Sequence, residues 1–178
     1  MKQQIILADK SYIIRRGLTD MIESIAQKNN TPLVVMAEAS SVTELYHLLA
    51  HHRPDYLFLS LQLTASEQYP HQSEIEDLLL VKDIKQRHPE IEIITTSPFQ
   101  NLRLLQSAIK AGAHSFISHN VSENFLSMLF SQPHKNLNSN TDSSLIAFQQ
   151  GRTGKEQSPT TCQAEIISLA EYSLSRSK

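Results

Sequence analysis

From Gln3 to about Phe130 the chain repeats one pattern five times: a short apolar run, then a stretch with apolar residues at three- and four-residue spacing. Apolar runs of this kind, too continuous to alternate, suit strands covered on both faces. The spacing predicts helices over residues 12–29, 41–51, 75–87, 101–111 and 122–129, with strands around Gln4–Ala8, Leu33–Ala39, Tyr56–Leu59, Ile91–Thr95 and Ser115–Ser118. Ser11 is placed to cap the first helix, and Gly112 falls where a left-handed cap would end the fourth. The expected inward faces are Ile14, Leu18, Met21, Ile22 and Ile25, then Val42, Leu45, Tyr46 and Leu49. Leu80, Val81 and Ile84 follow, then Leu105, Ala108 and Ile109. Strands that alternate with helices and cross over right-handedly lead to an α/β fold: a five-stranded, doubly wound parallel sheet of order 2-1-3-4-5.

Such a sheet gathers its chemistry at the carboxyl ends of its strands. There the sequence places Asp9 and Lys10, Ser60, Ser97 and His119, a set with a single carboxylate. With 178 residues, the chain has room for one ordinary domain and an additional segment. A formal net charge of -2 gives no whole-chain signature of nucleic-acid binding, and one cysteine, Cys162, forms no internal disulfide. Without a long apolar run or a signal-peptide pattern, a cytoplasmic location is expected. Beyond Phe130 the composition turns to Asn and Ser, which reads as a linker over 131–157, before helical spacing returns at Ile166, Ile167 and Ala170.

Several motifs carry a resemblance. Ile6-Leu7-Ala8-Asp9 with Ile14-Arg15-Arg16-Gly17-Leu18, then Glu38-Ala39-Ser40, Pro54-Asp55-Tyr56 and Lys110-Ala111-Gly112-Ala113, resemble response-regulator receiver domains of the NarL/FixJ class. The resemblance spans about residues 4 to 130, so a receiver-like domain is drawn at 1–130. From Ser158-Pro159 through Glu165-Ile166-Ile167 and Leu169-Ala170 to Ser175, the chain is similar to the first helix of a LuxR-type helix-turn-helix. This second segment, 158–178, is an incomplete helix-turn-helix on that reading, because the recognition helix that enters the major groove would follow Lys178.

The resemblance implies a damaged phosphorylation pocket. Where a receiver carries two acidic residues after its first strand, this chain has Asp9 and Lys10; Ser60 stands at the phosphoacceptor aspartate. Ser97 keeps the hydroxyl after the fourth strand, His119 replaces the lysine after the fifth, and Phe116 occupies the aromatic switch position. Transfer of a phosphoryl group to a carboxylate needs that carboxylate and a Mg²⁺ ion held by hard oxygen ligands. Lys10 brings a cation to the metal position, where unit charges about 4 Å apart repel by about 4 kcal/mol at an effective dielectric of about 20. The Lys10 ammonium is expected to pair with Asp9, as an internal substitute for the metal. The loop from Leu61 to Ser73 also runs roughly nine residues longer than the family's, on motif placement.

The remaining polar residues have simpler explanations. His47 and His51 share helical spacing but lack a third ligand, so no metal site is expected, and Arg15 and Arg16 read as a solvated outer face. Neither catalysis nor a cofactor is expected. The expected function is a phosphorylation-independent, DNA-binding transcriptional regulator whose receiver serves dimerisation or sensing. Its partners would be a second copy or a related regulator, meeting at the fourth-helix, fifth-strand and fifth-helix face or at the first and fifth helices. The alternative is a stand-alone interaction module that modulates a homologous regulator without touching DNA.

Overall fold

The computed structural model describes residues 2–65, 73–98 and 102–131, with side chains from Ile75 onward in the third helix. The sequence reading of 131–157 and 158–178 therefore lies outside the described residues, apart from Ser131. Among the described residues ten elements alternate: β1 Gln3–Ala8, α1 Tyr12–Asn29, β2 Leu33–Ala39, α2 Val42–His51, β3 Tyr56–Ser60, α3 Ser73–Arg87, β4 Glu92–Ser97, α4 Leu102–Ala111, β5 Ser115–Ser118 and α5 Glu123–Ser131. All strand pairs are parallel and the sheet order is β2-β1-β3-β4-β5, as the alternation predicts.

The central strands follow from their composition. Every residue of β3 is buried, and Ile5 to Ala8 of β1 are buried on both faces, which only helices on either side of a parallel sheet permit. Ile5 stands opposite Tyr56 and Leu7 opposite Phe58, and both pairs belong to a core that α1 and α5 close with Leu18, Ile22, Ile25, Leu126 and Phe130. Phe130 meets the Tyr56 ring edge-on at 5.2 Å, a favoured aromatic geometry.

The helix ends are set by local chemistry. The Ser11 side chain accepts from the Ile14 amide, and α1 stops where Asn30 turns left-handed at φ 50°. Gly112 ends α4 at φ 111°, with the amide of Ala113 bonded back to the Ala108 carbonyl. A Cβ at Gly112 would also lie 2.9 Å from Cγ of Lys85, so both backbone and space call for glycine. In α4 the buried face is Leu104, Leu105 and Ala108, with Ile109 only half-buried, so the helix is rotated from the expected face.

Candidate functional site

Order β1-β3-β4-β5 sets the carboxyl ends of four neighbouring strands side by side, and the site is assembled there. Ser60 and Ser97 are the last residues of β3 and β4, while Asp9 and His119 come one residue after β1 and β5. Asp9, Ser60 and Ser97 are buried, and Phe116 is buried within β5. The sheet thus brings together four of the five pocket residues expected from sequence.

Asp9 is held from two directions. Its Oδ1 accepts the Ser11 amide at 2.7 Å, fixing the turn into α1. The Arg15 guanidinium donates to the Asp9 carbonyl at 2.6 Å and to Glu38 Oε2 at 2.8 Å. The Arg15 side chain is only 12% exposed, so the expected solvated outer face is corrected at this residue: Arg15 staples the turn. Arg16 does lie outside, 56% exposed, and pairs with Asp20.

The expected Asp9–Lys10 pair is also corrected. Lys10 turns away along the sheet edge and donates to the Ala65 carbonyl in the loop after β3. The titratable side chain facing Asp9 is instead His119, with Nε2 3.8 Å from Asp9 Oδ2, beyond hydrogen-bond reach. Burial holds the His119 imidazole below its ordinary range, while the Asp9 carboxylate opposes that shift. A neutral imidazole at neutral pH follows. Asp9 Oδ2, His119 Nε2 and Ser60 Oγ are all buried without a hydrogen-bond partner among the described residues. Three buried polar atoms without partners therefore meet at this edge.

A second carboxylate lies close by and was not foreseen. Asp77 on α3 is fully buried, with Oδ1 accepting the Thr64 amide at 3.0 Å and Oδ2 unpartnered. Burial, the dominant cause, pushes its carboxyl up to about 6, against the hydrogen bonds from Thr64 and the nearby Lys10 charge. The signal was present in the sequence, since Asp77 falls on the same helical face as Leu80, Val81 and Ile84. Beside His119, α1 and β5 leave a hollow of about 80 Å³ lined by Ile13, Ile14, Gly17, Met21 and Ile117.

These residues do not fit a Mg²⁺ site. One Asp9 oxygen is committed to the Ser11 amide, and Ser60 brings a hydroxyl where a hard metal wants charge. No group of three His, Cys, Asp or Glu side chains among the described residues is arranged to hold a metal.

The described domain shares its fold with the receiver domains of response regulators, and its sequence is similar to that of one such regulator. No family model matches the chain. Among curated proteins it is 26% identical over 117 residues to the oxygen regulatory protein NreC of Staphylococcus epidermidis, covering 66% of this chain. That alignment takes in 48% of the NreC protein, so the chain spans about half the length of this relative. A LuxR-family two-component response regulator from Aurantimonas sp. superposes with a TM-score of 0.58 at 24% identity, over 73% of this chain and 83% of that one. The receiver domain of the regulator NarL from Mycobacterium tuberculosis gives 0.57 at 13% identity, over 72% and 93%. The RcsB receiver domain from Salmonella enterica, solved with the phosphomimetic BeF₃⁻, gives 0.57 at 18% identity, over 73% and 86%. At these identities the structures establish the shared fold.

Proposed function

We propose that this chain is the receiver part of a transcriptional regulator that operates without aspartyl phosphate, with its receiver used for pairing or sensing. The observation that carries this is Ser60: the last residue of β3 is a buried serine whose Oγ lacks a hydrogen-bond partner among the described residues. A neutral hydroxyl without a hydrogen-bonded base is a poor nucleophile, and it brings no charge to the dication that the reaction needs. The domain is therefore read as non-catalytic. Pairing draws support from apolar side chains left in water, Tyr12 and Ile13 on α1 and Met128 on α5, which are 66%, 79% and 54% exposed.

DNA contact belongs to the same proposal. One similar structure, of Salmonella typhimurium RcsB, concerns that regulator's conformational dynamism for DNA interaction. Here DNA binding would fall to the helix-turn-helix resemblance that begins at Ser158. The second reading, an interaction module that modulates a related regulator as a heterodimer, rests on the same exposed apolar residues of α1. No described helix is long and apolar enough to cross a membrane.

Incubation with acetyl phosphate, or with beryllofluoride and Mg²⁺, tests the proposal by intact mass, light scattering and tyrosine fluorescence. None of the three should change. A saturable response to either reagent refutes phosphate independence.

A further inference from the structure

Residues 61–65 leave β3 and cross the carboxyl edge next to Ser60. Leu61 and Leu63 are buried, and the Leu61 amide bonds to the Thr96 carbonyl, which seats the start of the segment. Its far end is held differently, by two charged side chains from separate elements. Asp77 of α3 accepts the Thr64 amide, and Lys10 of the β1–α1 turn donates to the carbonyl of the next residue, Ala65. Asp77 is fully buried, with a second oxygen that no described residue satisfies.

We propose that Asp77 and Lys10 form a proton-operated clasp on Thr64 and Ala65, so that the segment 61–65 sits tightly over the carboxyl edge when Asp77 is protonated and opens more often once Asp77 ionises. The direction comes from linkage. On this proposal, lifting the segment removes the Thr64 hydrogen bond and admits water to Asp77, so the open state carries an ordinary carboxyl. The closed state carries one that burial raises to about 6. Protons bind the closed state better, and acid therefore favours closure. Among the described residues, the charged groups acting on Asp77 are Lys10 from the β1–α1 turn, which favours ionisation, and Glu76 on its own helix, which opposes it. Lys10 does two things at once: it grips Ala65 and sets the pH at which the clasp responds.

The clasp supplies a control element that does not depend on a phosphoryl group. It governs how often water and solutes reach Ser60, whose hydroxyl lies at the root of the segment.

Amide hydrogen exchange of the full chain, followed residue by residue by NMR, tests this. After correction for intrinsic exchange chemistry, protection of the Leu63, Thr64 and Ala65 amides should fall about tenfold between pH 5 and pH 7.5, as the linkage relation gives for carboxyls at about 6 and 3.8. Asp77→Asn should flatten that dependence. Lys10→Met should move its midpoint to higher pH, and this second variant keeps the test open should Asp77→Asn fail to fold. Three results would overturn the clasp: flat protection in the unaltered protein, a slope that survives in Asp77→Asn, or loss of protection at 63–65 only together with core amides such as Phe58.

Discussion

Replacing Asp77 by Asn should make the protein more stable at neutral pH, although it removes a buried charged hydrogen-bond acceptor. Asn keeps an oxygen for the Thr64 amide and discards the charge that burial disfavours. The gap between the ordinary carboxyl value of 3.8 and about 6, at about 1.4 kcal/mol per pH unit, makes ionised Asp77 cost about 3 kcal/mol relative to its neutral form. A raised carboxyl favours the folded state at low pH. That contribution is complete below the unfolded value and disappears as pH rises through about 6. Imperfect packing of the Asn amide subtracts a constant, so the informative quantity is the change in the mutant's advantage with pH. Urea denaturation at pH 7.5 and at pH 4 should show that advantage shrinking by about 2 to 3 kcal/mol on the acid side. His119 acts in the opposite sense: its depressed imidazole adds stability above its unfolded value and loses it as pH falls. Being common to both proteins, it cancels in the comparison. An advantage that stays constant from pH 4 to pH 7.5 would refute the burial argument.

Other perturbations follow from named contacts. Arg15→Met removes charge-assisted hydrogen bonds to Glu38 and the Asp9 carbonyl, at a cost of about 2 kcal/mol in thermal or urea denaturation. In a double-mutant cycle with Glu38→Gln, independence of the two sites would show that the staple carries no energy. Gly112→Ala combines a left-handed backbone with a near-contact on Lys85, and a loss of about 1 to 3 kcal/mol in unfolding free energy is expected from urea denaturation.

The parts of the fold that could be read directly were those where one physical term dominates. Buried parallel strands need unbroken apolar runs, so Ile5 to Ala8 and Tyr56 to Leu59 announced themselves, and their order followed from handed crossovers. Ser11 and Gly112 were legible because caps depend on one or two residues. Long charged side chains were not. Arg15 and Lys10 can reach several partners from their backbone positions, and tertiary neighbours, Glu38 and Ala65, decide among them. A loop from another part of the chain therefore settled where Lys10 points, and periodicity carries no information about that loop. Asp77 is illegible for a different reason: it shares the stripe of Leu80, Val81 and Ile84, but helical spacing alone does not tell a buried carboxylate from one at the rim of the stripe.

The Lys85 side chain, whose stem runs close against Gly112, has a mechanical consequence. Its ammonium donates to the carbonyls of Pro89 and Ile91, so the end of α3 is tied to the approach to β4 by the same side chain that lies beside the exit from α4.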